Sequence, residues 1–161
     1  MRLFVILLAL CMIAAGMGWL PFKGGNVADL SPVEIVCFST DGEVLAVCDG
    51  GLAARGRSVT ETVERLRAAA PGRLLTDTVD YVVFSGMVPD IEALAELGLR
   101  PAVGVYRAPA PVKNPDALAV YLRTHGGGVT LGMLEEDASL AVPLLVRGEN
   151  DTLYIIKEGV R

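Results

Sequence analysis

Only one histidine, His125, occurs in this sequence, and that scarcity removes most of the familiar catalytic constellations. The cysteines number three, Cys11, Cys37 and Cys48, too few and too widely spaced to form a zinc-binding pattern with one histidine. Positive charge is also short. Arg2 and Lys23 precede residue 24, so 12 of the 14 Lys and Arg, and all 19 Asp and Glu, lie beyond it, a net of −7. An acidic surface repels phosphate backbones, which excludes nucleic acid as an expected partner. Internal repeats and long low-complexity segments are absent too.

The candidate motifs fail one by one. His125 sits in Arg123-Thr-His-Gly-Gly-Gly128, a string of the oxyanion-loop type. None of Ser31, Ser39, Ser58, Ser85 or Ser139 lies in a Gly-x-Ser-x-Gly frame, and a histidine within the loop leaves no second one to act as base. A helix C-terminus followed by glycines accounts for the string. Val129-Thr130 follow the glycines without the lysine that a phosphate loop needs. Glu135-Glu136-Asp137 lacks EF-hand spacing. Asp77 and Asp80, three residues apart on an expected strand, fall on opposite faces, and Asp49 reads as a turn residue. The chain is therefore expected not to be an enzyme, with no catalytic residue, no metal site and no cofactor.

One feature is abundant. Residues Leu3 to Leu20 carry no charge, with Arg2 before them and Pro21 after. As a helix this run covers about 27 Å, near the lower limit for a bilayer core. It fits a retained anchor, and it also fits a cleaved signal, with Ala14 and Gly16 spaced for a cut before Met17. Leu10 before Cys11 does not suit lipid attachment. Residues 1-22 are read as signal peptide or anchor, 23-32 as a linker, and 33-161 as a single extracytoplasmic domain. The expected partners are a membrane, through residues 3-20, and other proteins or a second copy.

The domain reads as α+β: a mixed sheet with N- and C-terminal β-hairpins, and about three helices packed on one side of it. The first hairpin runs Val33–Thr40, Asp41-Gly42, Glu43–Cys48. A two-residue turn sets Cys37 against Ala46 and Cys48 against Ile35, with the Cα atoms of the cysteines about 7–8 Å apart, beyond disulfide range. Two buried thiols follow. The same register puts Val36, Phe38, Leu45 and Val47 on one face. Ile35, Cys37, Val44, Ala46 and Cys48 then form the other, the candidate interaction surface. A Gly-rich connection, Asp49 to Arg57, leads to the capping box Ser58-Val-Thr-Glu61 and a helix to Ala70. Val79–Phe84 and Pro101–Tyr106 are expected strands, Asp90–Leu97 a short helix, and Asn114-Pro115 opens a helix through Arg123. The closing hairpin has arms Val142–Arg147 and Thr152–Lys157.

Several pieces taken together carry a family likeness. The apolar leader, the hairpin over Val33 to Val47, Gly56-Arg-Ser-Val-Thr-Glu-Thr-Val-Glu-Arg-Leu66 and the strand Tyr81-Val-Val-Phe-Ser-Gly86 come in a characteristic order. This order resembles the N-terminal domain of the C-subunit family of spore germinant receptors (Ger(x)C), over residues 33 to 107 at most. Thr62 stands where that family usually carries Ala. The resemblance implies a non-catalytic, membrane-associated assembly component of an endospore-forming bacterium, and it transfers no functional residues. The expected function is thus a protein-interaction or assembly domain, membrane-anchored or secreted, connected with sporulation or germination. The alternative is an extracytoplasmic domain binding a small ligand or peptide near Tyr81, Tyr106 and the Ala108–Pro111 loop. A hydrolase with His125 near its site is the third reading.

Overall fold

The computed structural model describes residues 30–147 and 153–156. The run Leu3–Leu20, and with it the expected N-terminal hydrophobic helix, the anchor-or-signal segment and Cys11, lies outside the described residues. So does the turn between the arms of the last hairpin. Among the described residues no helix is long and apolar enough to cross a membrane.

Four strands run parallel at the centre of a seven-stranded mixed sheet: β2 (Ile35–Asp41), β6 (Tyr81–Ser85), β7 (Gly104–Ala108) and β8 (Leu144–Arg147). Antiparallel strands extend it at both sides, β3 (Glu43–Cys48) and β4 (Ala53–Gly56) beyond β2, and β9 (Leu153–Ile156) beyond β8. A separate two-stranded parallel sheet joins β1 (Leu30–Pro32) to β5 (Arg73–Leu75). The expected mixed sheet and both hairpins are present. Three short pieces escaped the sequence, β1 inside the expected linker, β4 inside the Gly-rich connection and β5 between the helix ending at Ala70 and the strand expected from Val79.

Among the described residues four helices cover this sheet, and they take both faces rather than the one expected. α1 (Val59–Ala69), α2 (Ile91–Glu96) and α4 (Leu131–Glu136) bury Val59, Val63, Leu66, Leu94, Leu131 and Leu134 against Val36, Phe38, Val82, Phe84 and Val105. α3 (Pro115–His125) alone covers the opposite face, setting Leu118, Ala119 and Leu122 on Ile35, Cys37, Val83 and Tyr106. The cause is visible in the central strands. Val36, Phe38, Val82 and Phe84 alternate with Ile35, Cys37 and Val83, so both faces are apolar and both must be shielded. Each such fully buried side chain contributes about 1.5–3 kcal/mol.

Local chemistry sets the helix starts as the sequence implies. Ser58 Oγ accepts from Glu61 N at 3.1 Å, while a Glu61 carboxylate oxygen reaches back to Arg57 N at 2.8 Å. Asp90 and Asn114 cap α2 and α3 by accepting from Ala93 N and Ala117 N, each at 3.0 Å. Thr130 does the same for α4, so Glu135 and Glu136 close that helix rather than open it. β4 needs help from outside its own sequence. A Cβ on Gly56 would lie 2.6 Å from Thr62 Oγ1 and 2.8 Å from Thr62 N, so only glycine lets this edge strand approach α1.

The first hairpin departs from expectation by one residue. Asp41 stands opposite Glu43, with Gly42 alone at the tip at φ 79°, so Cys37 pairs with Val47 and Val36 with Cys48. A slip of one residue turns every side chain of one strand to the other face. The predicted surface is therefore split. Ile35 and Cys37 face α3, whereas Val44, Ala46 and Cys48 face α1, α2 and α4. All five are buried, on two opposite faces of the sheet.

Candidate functional site

The same slip places the two cysteines on opposite sides of the sheet, as free, buried thiols. Burial, reinforced by the Asp49 carboxylate, pushes the Cys48 thiol up to about 12. Burial raises Cys37 further, with Cys48 and Asp49 adding to it. Neither is a nucleophile at neutral pH. Asp49 is structural, its carboxylate accepting from Glu34 N at 3.1 and 3.2 Å and from Ile35 N at 3.3 Å. Asp80 pairs with Arg100 at 2.6 Å, and Asp77 lies in a 3-10 turn, so the two carboxylates do not converge. Asp137 accepts from Ser139 N and Oγ, which holds its carboxyl below the usual range.

His125 ends α3 as expected. Its ring stacks on Tyr121 with centroids 4.6 Å apart, and its Nδ1 lies 3.2 Å from the Tyr121 carbonyl oxygen. Gly126 follows as the C-cap, where a Cβ would fall 2.2 Å from the Leu122 carbonyl oxygen. Among the described residues no nucleophile is hydrogen-bonded to the His125 ring. Nor do three His, Cys, Asp or Glu side chains converge as metal ligands among the described residues.

What the fold does build is a cavity at the carboxyl end of β7. The connection after β6 runs to α2 on the three-helix face, while the connection after β7 runs to α3 on the other. The cavity's walls include no residue of β6 or of the connection after it, so it lies on the β7–β8 side of this divide. α3 does not fill it, because α3 is tied to the amino ends of the strands. Asp116 Oδ1 accepts from Gly50 N at 3.0 Å, Arg123 Nε donates to Glu34 at 3.1 Å, and Tyr106 Oη accepts from Gly127 N at 3.0 Å. The carboxyl half of this face is left to the loop that follows Ala108.

That loop, Pro109-Ala-Pro-Val-Lys113, is stiffened by two prolines and cannot collapse onto the sheet. Between it, α3 and β8 lies a half-open cavity of about 590 Å³, walled by residues 108–114, Ala117, Leu118 and Leu145. This is within the size range of small-molecule sites. The wall is mainly apolar. Lys113 is exposed at the rim, and Asn114 already spends its Oδ1 on the α3 cap.

The loop Ala108–Pro111, read from the sequence as one wall of a pocket, is that wall. Tyr81 and Tyr106 are not. Their rings pair at 6.3 Å, and Tyr106 is buried under α3 beside Gly126. Ala117, Leu118 and Leu145 were missed, since only the fold brings them to the loop. Neither a family model, nor a curated protein, nor a solved structure matches this chain.

Proposed function

We propose that the chain is a non-catalytic binding domain, tethered to or exported across a membrane by its apolar leader, that takes a small, largely apolar molecule under the Ala108–Pro111 loop. The observation that supports it is the 590 Å³, mainly apolar cavity between the loop after β7, α3 and β8. The wall is mainly alanine, proline, valine and leucine, with Lys113 and Asn114 beside them, and offers chiefly burial. Of the readings drawn from the sequence, the ligand-binding one gains this support. The five side chains offered as the contact surface of the protein-interaction reading are buried.

Hydrogen exchange on the full-length chain in lipid nanodiscs, with hexan-1-ol as the probe, tests the proposal. Exchange should slow in residues 108–118 and 144–147 and stay unchanged across α1. Uniform or absent protection contradicts it.

A further inference from the structure

β4 ends the seven-stranded sheet on one side, with β3 along its inner edge and no strand beyond it among the described residues. Its register fixes which backbone groups stay open. Val47 pairs with Ala53 and Leu45 with Arg55, so Cys48 comes opposite Leu52. Cys48 N donates to the Leu52 carbonyl at 2.8 Å, which makes that pair a hydrogen-bonded one. In an antiparallel ladder such pairs alternate with pairs whose N–H and C=O groups turn away from the neighbouring strand. Ala54 and Gly56 are therefore bonded to β3, whereas Ala53 and Arg55 direct both backbone groups out from the free edge. Both residues are exposed, while Leu52 and Ala54 pack on the core cluster that α1 covers.

Natural edges are usually covered, kinked or blocked, since open ones pair with other chains. Here one of the four outward groups is engaged. Arg65 of α1 donates Nη1 to the Arg55 carbonyl at 2.8 Å, and its Nη2 holds the Glu61 carboxylate at 2.6 Å. A carbonyl oxygen has two lone pairs, so this arginine charges the edge without closing it. The edge is also basic within an acidic chain. From Gly50 to Thr60 the sequence has Arg55 and Arg57 and no carboxylate, although the net charge of the whole is −5. Among the described residues neither Arg55 nor Arg57 makes an ion pair, and Glu43, beside them at the hairpin, makes none either. Glu61 is already held by Arg57 N and by Arg65, which keeps its carboxyl below the usual range.

Independently of the cavity, we infer that the open edge of β4 is a docking site for an extended acidic segment of another protein, added to the sheet as a further strand beside α1. The backbone groups of Ala53 and Arg55 supply the ladder bonds, and Arg55, Arg57 and Arg65 attract the carboxylates of the partner. A basic segment is repelled by the same side chains. A second copy paired edge to edge would set these arginines against their own counterparts, like charge on like charge.

Fluorescence anisotropy on the full-length chain in phosphatidylcholine nanodiscs tests this with two labelled hexapeptides, one of alternating Glu and Val and one of alternating Lys and Val. The acidic peptide should bind saturably, about tenfold tighter than the basic one, and more weakly as salt rises. Ala53→Pro removes only the outward N–H of residue 53, and Leu52, at φ −66° and ψ 128°, already has the backbone that precedes a proline. It should weaken the acidic peptide about fivefold and leave the urea midpoint in place. Arg55→Glu, at an exposed position, should weaken the acidic peptide about tenfold and strengthen the basic one; it decides alone should the proline variant fail to fold. Absent binding of the acidic peptide, equal binding of the two peptides, or affinity unmoved by Arg55→Glu overturns the proposal. So does a folded Ala53→Pro that binds like the native chain. A dimer of the native chain that Ala53→Pro dissociates would give the edge to a second copy and overturn the acidic partner.

Discussion

At the scale of single residues, two positions carry sharp consequences. Gly56 is the point where β4 meets α1, and a methyl group there collides with Thr62 backbone as well as its side chain. Gly56→Ala should therefore cost about 1–3 kcal/mol, as overpacking does, read from urea denaturation midpoints. Gly42, with open space around its Cβ position, carries only a conformational penalty, and Gly42→Asn should cost less than Gly56→Ala. The thiols give a pH signature. A thiol at about 8.5 when unfolded and about 12 when folded binds its proton more tightly in the native state. Cys48 thus adds stability that is fully present below about pH 8.5 and drains away as pH rises toward 12. Denaturation midpoints should fall across that window, and Cys48→Ala should flatten the fall while lowering stability at pH 7. Neither Cys37 nor Cys48 should take up iodoacetamide at pH 8 in the native protein.

At the scale of elements, the sequence was most legible where a local device decides the outcome. Ser58 with Glu61, Asp90, and Asn114 with Pro115 each mark a helix start because a short side chain meets free amides one turn ahead. Ser58→Ala should cost about 1 kcal/mol, seen as a lower midpoint with an unchanged denaturant slope. Asp49→Ala should cost more, about 1–3 kcal/mol, because it strips the partners from Glu34 N and Ile35 N together at the head of β2. Elsewhere the pairing partner decides. Ala53–Gly56 has no strand propensity of its own and is a strand only because β3 offers it an edge. The hairpin register turned on one residue. Asp-Gly predicts a turn but not whether one residue or two stand at its tip, and with both faces apolar the pattern itself chose neither.

At the scale of the whole molecule, the alternating strands and helices gave the α+β class, and the apolar runs in β2 and β6 called for cover on both sides. Which helix supplies which cover was out of reach, because it depends on where α3 is tethered. Its ties to Gly50, Glu34 and Tyr106 link residues far apart in the chain. The cavity is a product of those ties. Its proline loop was readable as a stiff extended segment, but Leu145 joins the wall only through the pairing of β8 with β7.

The central claim is that the cavity under the Pro109–Pro111 loop takes up an apolar molecule. Ala117 lines it from an exposed position on the first turn of α3, so Ala117→Trp occupies the space without touching the core. Titrating hexan-1-ol into the full-length chain and into this variant is the most direct measurement. Saturable binding to the native chain that drops at least tenfold in Ala117→Trp is the predicted result; equal heats from the two proteins would contradict it.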